Sequence, residues 1–319
     1  MSFIHEDPEF DHLLQIVADE RKLSRGLVEK DYWVTHTLWA LHIAGLEIWF
    51  KGGTSLSKGF QLIERFSEDL DLKIEPGKVS TLQTVSNWKS EGTIAIAERR
   101  AYFEKLADVI LVPGARAALD RDAIDKTWRA ADILVKYPGH HLGDLGGVMS
   151  PFVRLEIGSA RVTPFVLCGL TSFVHERLSA HGQLAAFDEN RPKAVRCVHP
   201  LVTLIEKLDA IRRRFSSNAE PAQFVRHYED AARIIEAAPK LMPLDDYDNV
   251  RAVATEMLAQ KQIACLANGR DSAFTPTALP RWDAIRDAHA AVGQMFWGSR
   301  IPIDDACITI RKWVDSTFA

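Results

Sequence analysis

At 319 residues and 47% hydrophobic content, the chain can bury a substantial core as one large domain or two ordinary ones. Its charged residues make up 26% and leave a formal net charge of -4, which excludes a global basic field, so any nucleic-acid contact has to use a local patch. Four scattered cysteines (Cys168, Cys197, Cys265 and Cys307) have no metal-ligand spacing and read as reduced thiols of a cytoplasmic protein. Neither a signal peptide nor an apolar run of about 18 residues marks export or a membrane span.

Phe10, Leu13, Leu14 and Val17 recur at helical spacing, and a second helical pattern runs from about Leu27 to Leu41 before Gly45 can stop it. Leu46 to Phe50 is a short β-prone run that ends at Lys51-Gly52-Gly53-Thr54, after which Ser55 to Ile63 has helix-compatible composition. A strand, a glycine turn and a helix are therefore expected in that order. Asp69-Leu70-Asp71-Leu72-Lys73-Ile74 alternates polar and apolar residues, which predicts a half-buried strand with both aspartates on one face, closed by Pro76-Gly77.

The stretch at about 78–131, including Ile94 to Val109 and Arg116 to Trp128, reads as a helical insertion. Strand character returns at Phe152 to Ile157 and at Pro164 to Leu167. Beyond His199-Pro200, the residues Leu201, Leu204, Ile205, Leu208 and Ile211 mark an amphipathic helix, and the chain looks mostly helical from there to its end. The loop-rich residues 188–200 give the expected boundary, with domains at 1–190 and 191–319.

Asp69 and Asp71, two residues apart on a strand, would project side by side and could share a pair of Mg²⁺ (or Mn²⁺) ions, with phosphates completing the shell. An isolated Asp-x-Asp more often marks a solvated strand face. Upstream, Gly52 and Gly53 let the backbone approach a phosphate, with Thr54 and Ser55 adding hydroxyl donors, although strand-to-helix turns also use glycine for steric reasons alone. The two features together point to nucleoside triphosphate chemistry.

Lys51-Gly52-Gly53-Thr54-Ser55-Leu56-Ser57-Lys58, followed by Arg65-Phe66-Ser67-Glu68-Asp69-Leu70-Asp71-Leu72, resembles the first two motifs of the AbiEii/AbiGii nucleotidyltransferase toxins of the DNA polymerase β-like superfamily. Val28-Glu29-Lys30-Asp31-Tyr32-Trp33 is similar to that family's N-terminal helix signature, and Arg154-Leu155-Glu156-Ile157 falls where the superfamily places a third carboxylate. Leu204 to Ala210 and Arg226 to Asp230 resemble its C-terminal motif.

The resemblance implies an α/β (α+β) fold with a small mixed sheet and a mostly helical C-terminal region. It implies metal binding by Asp69, Asp71 and Glu156, with Glu156 as metal ligand or base, and support of the nucleotide by Lys207 and Asp230. It further implies a tRNA 3′-end acceptor, a cognate antitoxin and, as in MenT-type relatives, phosphorylation at Ser67, where a serine bonded to its own turn is the plainer alternative. A small molecule or a protein hydroxyl as acceptor, or an NTP-binding toxin without turnover, are the rival expectations. Lys58 and Arg65 are weaker phosphate candidates, and Arg212-Arg213-Arg214 is either an RNA track or a solvated helix end.

Overall fold

The computed structural model describes residues 2–67, 69–145 and 149–318; Glu68, within the second motif, lies outside them. The chain divides into two compact units. The first comprises Met1–Gly59, Ser67–Val162 and Leu167–Cys197, and the second comprises Phe60–Phe66, Thr163–Val166 and Val198–Ala319. No described helix is long and apolar enough to cross a membrane.

The first unit opens with α1 (Phe10–Arg21) and α2 (Arg25–Ile43). Lys22, in the left-handed region at φ 56°, ends α1, and the Ser24 hydroxyl caps α2 by accepting the Leu27 N–H at 3.3 Å. β1 (Glu47–Lys51), the single turn α3 (Gly52–Thr54) and β2 (Asp69–Glu75) follow. After them come α4 (Thr93–Val109), β3 (Arg116–Leu119), β4 (Ala130–Lys136), β5 (Val153–Gly158), β6 (Phe165–Cys168), α5 (Phe173–Ala180) and β7 (Val195–Val198).

The strands form a mixed seven-stranded sheet in the order β3-β4-β5-β2-β1-β7-β6. β2 pairs antiparallel with β1 and parallel with β5, which places it centrally. The period-two pattern decides its faces: Leu70, Leu72 and Ile74 are buried, as are Val153, Leu155 and Ile157 of β5 and Ile133 and Val135 of β4. Each such side chain contributes roughly 1.5–3 kcal/mol of burial. α2 packs against β1 and β5, and α4 against β3.

Two expectations are corrected here. Arg116 to Trp128 is not helical: Arg116–Leu119 pairs antiparallel with β4, so the 78–131 stretch holds one helix followed by a hairpin. Ala117 and Ala118 favour a helix locally, but β4 alternates strictly and offers a partner edge, and pairing overrides propensity. The helix expected to reach Ile63 stops at Gly59, where a Cβ would stand only 2.9 Å from the Cys197 sulfur.

The second unit is largely helical, as expected: α6 (Pro200–Ser216), α7 (Arg226–Ala237), α8 (Val250–Ala259), α9 (Pro280–Ala291) and α10 (Ile303–Phe318). Pro200 occupies the first turn of α6, where its missing N–H costs nothing. α6 and α10 both pack on α7, and Val202 and Ile205 of α6 share a core with Val253, Ala254 and Met257 of α8.

Candidate active site

Asp69 and Asp71 lie on the polar face of β2, both half-buried, opposite Leu70 and Leu72. Sheet register carries the neighbours to them. Lys51 pairs with Asp71 across β1, Arg154 with Asp69 and Glu156 with Asp71 across β5, and Asp132 with Glu156 across β4. One face of three strands thus gathers Asp69, Asp71, Asp132, Arg154 and Glu156.

The glycine turn meets this face at Gly52. Its φ of +74° lies in the left-handed region, and a Cβ added there would overlap the Asp71 carboxylate. Only a residue without a side chain lets that carboxylate lie over the entrance to the turn. Gly52→Ala is expected to cost about 1–2 kcal/mol in backbone strain, and displacing Asp71 by an ångström should lower turnover about 10²-fold. Thermal melting and steady-state rates on the purified variant check both.

Thr54 and Ser55 take different roles from those their hydroxyls suggested. Thr54 is buried and donates to the Asp69 carbonyl at 2.9 Å, tying the turn to β2, and Ser55 is buried with its hydroxyl beside the Cys197 thiol. What the turn offers to a phosphate is therefore backbone. Lys58 is likewise committed: its ammonium meets Asp31 at 2.6 Å, Thr35 Oγ1 at 3.0 Å and the Thr171 carbonyl at 2.9 Å, which uses all three donors.

That contact explains the polar motif on α2. Asp31 also accepts the Phe173 N–H at 2.8 Å, Glu29 accepts the N–H groups of His140 and His141 at 3.1 Å, and Lys30 donates to the Ser150 carbonyl at 2.8 Å. A helix buried nearly all round positions the glycine turn through charged residues turned inward.

Arg154 organises the carboxylates. It reaches Asp132 at 2.6 Å, Asp69 at 3.3 Å and Asp120 at 3.5 Å. Glu156 gets only a small share of that relief. Loss of water, then the negative charges of Asp69, Asp71 and Asp132, push it up to about 7. The residue as a whole is exposed, so the desolvation is confined to the side of the carboxyl group that faces its neighbours.

Among the described residues no three His, Cys, Asp or Glu side chains close into a metal cage on their own. The donor set nevertheless fits Mg²⁺, a hard cation held by one or two carboxylates and completed by phosphate and water oxygens. The space that a Cβ on Gly52 would deny to Asp71 is the second sign of fit. If Glu156 joins the ion's ligands it has to shed its proton, and Mn²⁺ affinity is then expected to strengthen as pH rises through about 7 and level off. Titrations at stepped pH test this, and Glu156→Gln should flatten the profile.

Lys207 and Asp230 lie in the second unit. Asp230 is fully buried and grips three donors: Arg65 Nε at 2.7 Å, Arg65 Nη2 at 2.6 Å and Lys207 Nζ at 2.7 Å. Burial would raise its pKa, but Arg65 and Lys207 overwhelm that and hold the carboxyl far below the usual range. Asp230 is thus placed to orient Lys207 and is sealed from solvent itself. His227, beside Lys207 at 3.5 Å, is kept neutral by burial and by that positive neighbour.

Arg65, a candidate phosphate contact or local bridge by its place in the sequence, is committed to Asp230. Its own segment is fastened within the second unit by the Phe66 N–H to the Met295 carbonyl at 2.9 Å and the Trp297 N–H to the Glu64 carbonyl at 3.0 Å. The Arg212-Arg213-Arg214 run is also spoken for: Arg212 meets Asp271 and Arg213 meets Asp209, both at 2.6 Å, and Arg214 donates to the Gln223 carbonyl at 2.5 Å. Asp132 is hidden in the sequence because the alternation of Ala130–Lys136 begins at the end of a stretch of helical character.

A search of curated proteins finds no match. Among solved structures the chain is similar to MenT4, a nucleotidyltransferase toxin from Mycobacterium tuberculosis H37Rv, with 16% sequence identity, a TM-score of 0.40 and coverage of 95% of this chain and 97% of that one. A family model described as nucleotidyl transferase AbiEii toxin, type IV TA system, matches residues 38–294. A match that runs from the middle of α2 to the residue before Met295 takes in most of the chain, and the protein therefore belongs to the AbiEii family, the nucleotidyltransferase toxins of type IV toxin–antitoxin systems.

Proposed function

We propose that the protein transfers nucleotides from an NTP to the 3′ end of tRNA in a reaction dependent on Mg²⁺ or Mn²⁺, blocking translation until a cognate antitoxin intervenes. Family membership supplies the nucleotidyltransferase activity, the NTP and the antitoxin. The observation that carries the finer reading is the Asp71 carboxylate seated on Gly52, with Asp69 beside it on the same strand face.

Asp69 and Asp71, with Glu156, would hold the divalent ion, which when bound offsets charge developing on the phosphates. Gly52, Gly53, Thr54 and Ser55 hold the triphosphate through their backbone. Where Glu156 is not an ion ligand, it is the base that takes the proton of the acceptor hydroxyl. The hydroxyl oxygen bonds to the α-phosphorus, the bond to the β-phosphate oxygen breaks, and pyrophosphate leaves. Lys207, oriented by Asp230, pairs with triphosphate oxygens as a point charge. Ser67, half-buried two residues before Asp69, is the regulatory position, since a phosphate there would add roughly two negative charges beside the carboxylates.

Purified protein mixed with total RNA and each α-labelled NTP should place label on the 3′ end of tRNA only when Mg²⁺ or Mn²⁺ is added. Absence of label in RNA with all four NTPs would contradict the acceptor assignment.

A further inference from the structure

Most arginines of the second unit have a partner: Arg65, Arg212, Arg213, Arg214, Arg233, Arg281, Arg286 and Arg300 all reach a carboxylate or a carbonyl. Among the described residues, three cations that lack such a partner stand together. Arg270, Arg311 and Lys312 line one open cleft of about 460 Å³, between the loop before Thr275 and the outer face of α10. No ion pair forms at any of the three among the described residues, and the Arg311 Nε is buried without a hydrogen-bond partner. Asp315, lying against Gly269, supplies the cleft's one negative charge, so three positive charges are left with a net excess of two.

We propose that this cleft binds a phosphodiester of the RNA acceptor; the inference rests on the reading of the acceptor as RNA. Guanidinium groups match phosphate oxygens with paired N–H donors. Ile308, 40% exposed on the same wall, offers an apolar surface to a ribose or base. A cleft of this size admits a nucleotide unit, since ligand pockets run from about 300 to 1,000 Å³. An overall net charge of -4 gives RNA no general attraction, so a local excess of this kind is where affinity has to come from. Arg311 and Lys312 lie beyond the stretch at 38–294 matched by the family model.

The test uses the full chain with Arg270→Ala and Lys312→Ala, singly and together. Both residues are exposed, so melting should stay within a degree or two of wild type. Binding of tRNA is followed by fluorescence anisotropy between about 50 and 200 mM salt. Each change is expected to weaken binding several-fold for any tRNA and to reduce the slope of log K against log salt by about 1, and the pair by about 2. Arg270→Lys should keep the slope. Wild-type affinity and slope in the double variant overturn the proposal, as does loss of polyglutamate binding with RNA binding intact, which would assign the cleft to an acidic protein. Label transfer to RNA is scored separately: a wild-type protein that labels no RNA but loses salt-dependent RNA binding in the double variant refutes the acceptor reading and leaves the phosphodiester contact standing.

Discussion

Asp69→Ala and Asp71→Ala are each expected to lower NTP turnover by about 10³-fold or more, equivalent to several kcal/mol of lost charge stabilisation. Neither should lower the melting temperature appreciably. Asp69 is one of three carboxylates around Arg154, and the pair at 3.3 Å is a partly exposed ion pair worth about 0–1 kcal/mol. Arg154 keeps Asp132 at 2.6 Å when Asp69 is removed, so no cation is orphaned. Removing either aspartate also relieves Glu156, whose raised pKa stems partly from both. Rate and melting therefore separate cleanly here: a large catalytic loss with unchanged stability marks a site that spends folding energy to crowd like charges.

The opposite signature is expected at Asp230. Asp230→Ala leaves the Arg65 guanidinium and the Lys207 ammonium facing each other in a sealed interior, and breaking a buried pair from one side costs about 3–5 kcal/mol. At roughly 2–4 °C per kcal/mol for a large domain, the melting temperature should fall on the order of 10 °C. The pH dependence has a definite sign. The folded state depresses the Asp230 pKa, so its stabilisation is complete above the unfolded value near about 4 and drains away as pH falls below it. Asp230→Asn should therefore show a shallower acid-side loss of stability than wild type. Arg65→Lys, which keeps the charge but not the two-pronged contact, should fall between the two.

The sites of these two predictions differ in how plainly the sequence displays them. Asp69 and Asp71 are legible because a strand puts alternate residues on one face, and nothing distant is needed to read that pattern. The meeting with Gly52 is legible as a motif, whereas its cause, a carboxylate occupying the space of a missing Cβ, appears only in three dimensions. β3 is illegible because its pairing partner, not its own Arg-Ala-Ala-Leu, decides its conformation. Long-range ion pairs are hidden for the same reason. Lys58 reads as a free phosphate contact until Asp31 is found beside it, and Arg65 until Asp230, 165 residues away, closes on it. The Arg212 to Arg214 run looks unpartnered in one dimension and finds Asp271, Asp209 and the Gln223 carbonyl in three. The unpaired cations at Arg270, Arg311 and Lys312 carry no sequence signature at all.

Mn²⁺ binding in the presence of a non-hydrolysable NTP analogue, followed by electron paramagnetic resonance, tests most directly whether Asp69, Asp71 and the glycine turn form one site. Wild-type protein should bind the ion and the nucleotide together, and Asp69→Asn and Asp71→Asn should each abolish the bound-ion signal while the protein remains folded. Undiminished Mn²⁺–nucleotide binding in both variants would contradict the account.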